Sequence, residues 1–287
     1  MLYFIPTPIG NLSDISFRAL ELLKTCDISF RALELLKTCD IFFCEDTRVS
    51  KSLLSLLSSK FEIDFGDKKF ISFHTHNEKK VLENLDLEFF NQDIAFLSDA
   101  GMPGISDPGQ FLIDFALEND IQFEVLPGAN AALVALVSSA LCEKEFIFMG
   151  FLANKGKERQ KDIQKILNHP YPSVIYESPK RILSLIEQIA ILDSQREVFV
   201  IKEISKKFEA KFKGKAIDLF NELKQVNLKG EWVVVLAKND KDNISHSLCE
   251  NDILELEIPL KTKSKLLAKM NGKNPKEIYQ KLLLSQS

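Results

Sequence analysis

Short apolar runs recur through the first half of the chain, at residues 2–6, 41–44, 70–73, 94–97 and 123–126. Each is brief, bounded by turn residues and apolar at nearly every position, which predicts strands buried on both faces. Between them, residues 50–57, 110–118 and 131–141 space their apolar side chains with a helical period. Strand and helix in alternation predict an α/β unit built on a largely parallel sheet. A second series follows, with helices over 157–167, 181–192 and 216–224 and strands over 173–176, 198–202 and 232–237. The boundary between the two series falls in "GFLANKG", residues 150–156, where apolar character stops and basic residues begin. The organisation expected is therefore residues 1–150 and 151–238 as two α/β domains. Residues 239–287 then form a polar linker and a small helical tail, broken near Gly272 and Pro275.

A doubled word interrupts this rhythm. Residues 14–26 and 27–39 both read "DISFRALELLKTC", 13 residues without a mismatch. Each copy has the spacing of an amphipathic helix. A single tandem pair is too little for a solenoid. Fused into one helix, the second apolar stripe would point about 220° away from the first. One straight helix therefore cannot bury both. One copy is expected to take a helix seat on the sheet. The chain is expected to break near Asp27 and Ser29, whose side chains suit an N-cap. The surplus turns would expose leucines and Phe17 or Phe30.

With 287 residues, 45% of them hydrophobic, the chain can build two cores. No apolar run approaches the ~20 residues of a membrane span, and the N-terminus lacks a basic-then-apolar leader. A cytoplasmic protein without membrane contact is expected. Five cysteines show no C-x-x-C spacing, which points to free thiols and not to a disulfide frame or zinc site. The net charge of −4 hides an asymmetry: residues 1–149 carry −11 and residues 150–287 carry +7. A basic second half is either ordinary solvated surface or a face for a polyanion.

The polar motifs stand at the ends of the predicted strands: "TPIGN", "EDTR", "HTHNE", "SDAGMPGISDPG" and "PGANAA" follow the five runs in order. In open α/β sheets the ligand cleft lies beyond the carboxyl ends of the strands. Singly these loops are ordinary turns; together they predict one cleft. Glycines in "SDAGMPGISDPG" permit close backbone approach, and its prolines stiffen the loop. The dinucleotide and P-loop phosphate signatures are missing, which favours a nucleoside-like ligand without phosphates. His74 and His76 stand two apart, as a metal pair might, but no third ligand is apparent, so no metal is expected.

At these loops the chain resembles the tetrapyrrole methylase superfamily, the class III S-adenosylmethionine-dependent methyltransferases. "CEDTR", "SFHTHNE", "LSDAGMPGISDPG", "LPGANAAL", "YESPKR" and "KGEWVVVLA" carry the likeness, and "CEDTR" and "YESPKR" set apart a branch that acts on ribosomal RNA. The resemblance implies two α/β domains with a ligand cleft between them. It implies S-adenosylmethionine as methyl donor and 2′-O-methylation of a decoding-region cytidine of 16S rRNA in the small ribosomal subunit, by a homodimer. Carried over motif by motif, it places Pro8, Asp99, Ala100, Gly101, Ile105, Asn130, Ala131, Glu177 and Ser178 at the donor. Asn130 stands where the family usually has Ser or Thr. A base for the ribose hydroxyl would be Glu45, Asp46, His74 or His76. Arg48, Lys180, Arg181 and Lys202 are candidates for RNA contact. Two other readings stay open: a methylase for a small molecule such as a tetrapyrrole, and a nucleoside-binding protein without catalysis.

Overall fold

The computed structural model describes residues 1–12, 31–106, 108–142, 144–239 and 250–284. The chain divides into two compact units, 1–239 and 240–287. The first unit holds two five-stranded sheets.

In the first sheet, strands β1 (Leu2–Phe4), β2 (Ile41–Cys44), β3 (Lys69–Ser72), β4 (Ile94–Leu97) and β5 (Phe123–Val125) lie in the order β3-β2-β4-β1-β5. Every pairing is parallel. Successive residues of β2 explain the unbroken apolar runs. Phe42 and Cys44 point into one core with Leu54, Leu57 and Ala95. Ile41 and Phe43 point into another with Leu2, Phe90 and Phe96. Helices α2 (Thr47–Phe61) and α4 (Gln110–Glu118) belong to opposite cores. The short helix α3 (Glu78–Glu83) seats Leu82 in the core of α4.

Part of the doubled word is seen. Helix α1 (Arg31–Thr38) belongs to the second copy, and its Leu36 and the following Cys39 are fully buried with Phe42 and Leu57. That copy therefore fills the helix seat beside β2. The first copy, the expected break near Asp27 and Ser29, and the exposure of Phe17 or Phe30 fall outside the described residues.

The second sheet comprises β6 (Ile147–Phe151), β7 (Ser173–Glu177), β8 (Glu197–Lys202), β9 (Ala210–Lys215) and β10 (Trp232–Leu236), in the order β6-β7-β10-β8-β9. Only β6 and β7 run parallel; the other pairs are antiparallel. Two strands escape the apolar pattern. β6 runs into the segment read as a boundary. β9 is an edge strand whose Lys211, Lys213 and Lys215 alternate outward, a composition that discourages further pairing and hides the strand from a hydrophobic reading. Helices α6 (Gly156–Asn168), α7 (Ile182–Leu192) and α8 (Ala216–Leu223) cover one face. The other face packs on α5 (Ala131–Ser139), through Ala132, Ala135 and Leu136. A helix from the first series thus completes the core of the second sheet and ties the sheets into one unit.

The second unit contains α9 (Glu250–Glu255), α10 (Leu260–Asn271) and α11 (Pro275–Leu284). Gly272 closes α10 in a left-handed conformation, φ +62°, and its N–H donates to the Ala268 carbonyl. Pro275 opens α11, where its missing N–H costs nothing. The two helices read from the tail sequence are both present; α9 precedes them.

Helix α7 tests this packing. Its Ile182, Leu185, Ile186 and Ile189 are fully buried, while Ile191 is 76% exposed. Ile186→Ala is expected to lower the unfolding free energy by about 2–5 kcal/mol, read from the urea midpoint. Ile191→Ala should stay within about 0.5 kcal/mol of the parent.

Candidate functional site

Because the first sheet is parallel, all five strands deliver their following loops to one edge. Backbone pairing continues past the strands and holds these loops together. Ile5 N–H donates to Phe96 O at 3.0 Å, Glu45 N–H to Leu97 O at 3.2 Å, Phe73 N–H to Cys44 O at 2.7 Å and Leu126 N–H to Phe4 O at 3.0 Å. Further out, Thr7 and Gly101 exchange two hydrogen bonds of 2.9 and 3.0 Å. Gly101 has φ +82°, which a side chain would strain. A Cβ on Gly128 would lie 2.3 Å from Pro6 Cβ, so the loop after β5 can cross the loop after β1 only as glycine.

The second sheet supplies the opposite wall. β7 ends there, and antiparallel β10 begins there, with Trp232 in register with Glu177 and Lys202. The loop after β8 lies against the first loop: Asn11 N–H donates to Ser205 Oγ at 3.1 Å, and a Cβ on Gly10 would strike the Ile204 carbonyl at 2.6 Å. Between the walls is a cleft of about 330 Å³. Of the residues singled out from sequence, Ala100, Gly101, Ile105, Asn130, Ala131, Glu177 and Ser178 line it. Pro8 and Asp99 do not; they line a neighbouring groove of about 500 Å³ with Thr7, Asp46, Arg48, Leu53 and Leu56. The two hollows adjoin through the Thr7–Ile9 and Asp99–Gly101 segments. Ile9, Met102, Phe151, Tyr176, Ile204, Glu231 and Trp232 also line the cleft and were not singled out. Most are apolar and look like core in sequence. Ile9, Met102, Tyr176, Glu231 and Trp232 nevertheless sit inside the quoted motifs and Phe151 in the boundary segment; Ile204 offered no signal.

Asn130 caps α5: its side-chain oxygen accepts from Leu133 N–H at 3.1 Å. Glu177 is fully committed. Its carboxylate lies 3.1 Å from Arg159 Nη1 and 2.7 Å from Arg181 Nε, and accepts from Ser178 N–H at 2.8 Å. Arg181 also donates to Ser178 Oγ and to Asn154 Oδ1. What Glu177 and Ser178 can present to the cleft is mainly backbone, held in place by this buried charge cluster.

Two of the catalytic candidates, Glu45 and Asp46, meet Asp99. Asp99 N–H donates to Glu45 at 3.2 Å, and Asp46 N–H donates to Asp99 at 3.1 Å. Burial, with the charge of Asp99, raises the Glu45 carboxyl above its ordinary value. Burial likewise raises Asp99. Arg48, bonded to Asp46 at 2.6 and 3.1 Å, pulls Asp46 down to about 2. His74 is an electrostatic neighbour of Glu45, and the His74 and His76 rings stand 5.9 Å apart. Among the described residues no group of three or more His, Cys, Asp or Glu is arranged to hold a metal ion.

The RNA-contact candidates differ in availability. Arg48 is 89% exposed at its side chain, and Lys180 is exposed. Arg181 serves Glu177. Lys202 is buried, lies 5.6 Å from the centre of the Trp232 ring and donates to the Asn227 carbonyl at 2.5 Å.

The Glu177 cluster makes a direct test. Arg159→Leu leaves a buried carboxylate with less compensation and is expected to cost about 3–5 kcal/mol in unfolding free energy. Arg159→Leu with Glu177→Leu should cost less than the sum of the single changes, measured by a double-mutant cycle.

Residues 25–219 match the family model described as Tetrapyrrole (Corrin/Porphyrin) Methylases. Ribosomal RNA small subunit methyltransferase I of Campylobacter fetus subsp. fetus (strain 82-40) is 51% identical over 284 residues, spanning 99% of this chain and 100% of that protein. The protein of the same name from Helicobacter pylori (strain J99) is 40% identical over 299 residues, spanning 100% and 98%. Among solved structures, uroporphyrin-III-C-methyltransferase from Thermus thermophilus superposes with a TM-score of 0.54 at 16% identity, covering 83% of this chain and 94% of that one. A second structure of the Thermus enzyme, complexed with S-adenyl homocysteine, gives 0.54 at 15%, covering 82% and 96%. The structural likenesses concern the fold.

Proposed function

Because this chain belongs to the tetrapyrrole methylase family, among the relatives named ribosomal RNA small subunit methyltransferase I, we propose that it methylates 16S rRNA. The methyl donor is S-adenosylmethionine and the acceptor is the ribose 2′-hydroxyl of a decoding-region cytidine. The observation that supports this most is convergence: residues from five distant motifs line one cleft at the strand ends. The lining suits the donor. Ile9, Ile105, Ile204 and Val233 offer apolar walls for an adenosine and a thioether, and among the described residues no Lys or Arg lines the cleft to call for phosphate.

In this reading Ala100, Gly101, Ile105, Asn130, Ala131, Glu177 and Ser178 hold the donor, with Pro8 and Asp99 at the junction with the groove. Bound there, S-adenosylmethionine supplies a methyl group activated by a positively charged sulfur. The chain contributes orientation and a proton acceptor. Glu45 is the base: its raised carboxyl lies nearer working pH than an ordinary one. The Asp99 N–H orients it. Asp46, held low by Arg48, is too weak a base and fixes that guanidinium instead. Arg48 and Lys180, both exposed, meet backbone phosphates.

Helix α5 leaves Leu133, Val134 and Val137 exposed. A second copy would cover such a surface, and light scattering is expected to give twice 32.6 kDa. No described helix is long and apolar enough to cross a membrane. A substrate in the small ribosomal subunit is the reason we assign the enzyme to the cytoplasm.

The decisive experiment supplies the chain and S-adenosylmethionine to small subunits lacking the mark and maps 2′-O-methylation. One new mark at a decoding-region cytidine is expected. Transfer to a tetrapyrrole and not to RNA would move the substrate to the small-molecule reading; donor binding with no transfer to either would leave a binding protein. Glu45→Gln should lower kcat by about 10²–10⁴-fold with the donor Kd unchanged. In the parent, activity should be lost as pH falls through the raised Glu45 value; Glu45→Gln should lose that acid limb.

A further inference from the structure

The tail unit separates its charges along the chain. Residues 250–257 carry four acidic side chains and no basic one, whereas residues 261–281 carry seven lysines and one acidic residue, Glu277. The helical hairpin explains how these lysines are used. Lys263 is spent inside the unit, its ammonium donating to the Leu254 carbonyl at 2.6 Å, so that it joins α10 to α9. Asn271 makes a second tie, to Glu250 at 2.5 Å. The inward positions of α10 are Ser264, Leu267 and Ala268. Lys261, Lys265 and Lys269 stay exposed, and among the described residues none has an acidic partner. Standing four residues apart, they form one stripe with steps of about 6 Å along the helix axis. Lys273 and Lys276 extend the positive surface across the turn, whose path Gly272 sets.

A lysine stripe without acidic partners among the described residues repels itself, and nothing in the packing described for the unit requires it. Backbone phosphates would neutralise it with release of counterions. We propose that the α10–α11 hairpin is a second RNA grip, which holds phosphates of the small-subunit RNA through Lys261, Lys265 and Lys269, flanked by Lys273 and Lys276. Resting on the reading of RNA as substrate, it assigns the tail to affinity and not to the chemical step.

The test uses the full chain carrying Lys261→Gln, Lys265→Gln and Lys269→Gln. Binding to protein-free small-subunit RNA is measured without donor between 50 and 200 mM salt. A control carries Lys79→Gln, Lys80→Gln and Lys144→Gln, three exposed positions outside the tail with the same change in charge. The tail variant should flatten the plot of log affinity against log salt by about 2 to 3. Across that range the parent should then lose about 16- to 64-fold more affinity than the variant. KM for small subunits should rise at unchanged kcat, and the donor Kd should not move. An unchanged salt slope, or an equal change in the control, overturns the proposal. So does a defect seen on intact subunits but absent on protein-free RNA, which would make the partner an acidic protein. Failure of the methylation reading itself would show separately, as loss of transfer by the parent chain.

Discussion

The parallel alignment of five short strands is the constraint from which the rest of the site follows. A parallel ladder sends every carboxyl end to the same edge of the sheet. The chain then needs only modest loops to bring Thr7, Glu45, His74, Asp99 and Asn130 from positions over a hundred residues apart into one region. Pairing does not stop where the strands do. The Thr7–Gly101 double hydrogen bond carries the ladder into the loops, so the cleft rim is built from ordered backbone.

Opposite that edge the second sheet reaches the same end by a different route. Its β10 runs against its neighbours and therefore presents its beginning, Glu231 and Trp232, beside the end of β7. Buried charge fixes that end. Glu177, 2% exposed, is held between Arg159 and Arg181, and leaving either carboxylate or guanidinium alone in that environment would be costly. Backbone strain collects at the same place: Ser106, Glu203 and Ser205 all have positive φ, and two of them flank Ile204 at the cleft wall. A rim held by ion pairs and strained turns is pre-organised for a ligand.

Much of this was legible beforehand. Strands at 41–44 and 94–97 and the helix at 110–118 match the structure residue for residue, because each is bounded by turn residues and uniformly patterned. The polar loops announced a cleft through their common placement. The sequence pattern did not reveal β9, since alternating lysines on an edge strand leave one large apolar residue, Phe212, beside the small Ala210 to signal it. Nor did it show α5 serving the second sheet. Its apolar residues read as a buried helix, but the partner it is buried against is a matter of chain path. Lys202 and Arg181 looked like free cations; one lies under Trp232 and the other against Glu177. The doubled word was legible as a helix written twice, and the described part places the second copy in the core.

The amino-acid sequence by itself determined the two α/β layers, the polar ends of the strands and the residue types gathered there, because period, turn chemistry and burial are local properties of the chain. Only the tertiary structure decided which of those polar groups remain available. It joined Asp99 to Glu45, withdrew Glu177 into an ion cluster, gave Asp46 to Arg48, and added Ile9, Ile204 and Trp232 to the cleft. Apart from the local Asp46–Arg48 pair, such choices depend on distances of 3 to 6 Å between segments far apart in sequence, and no local pattern encodes them.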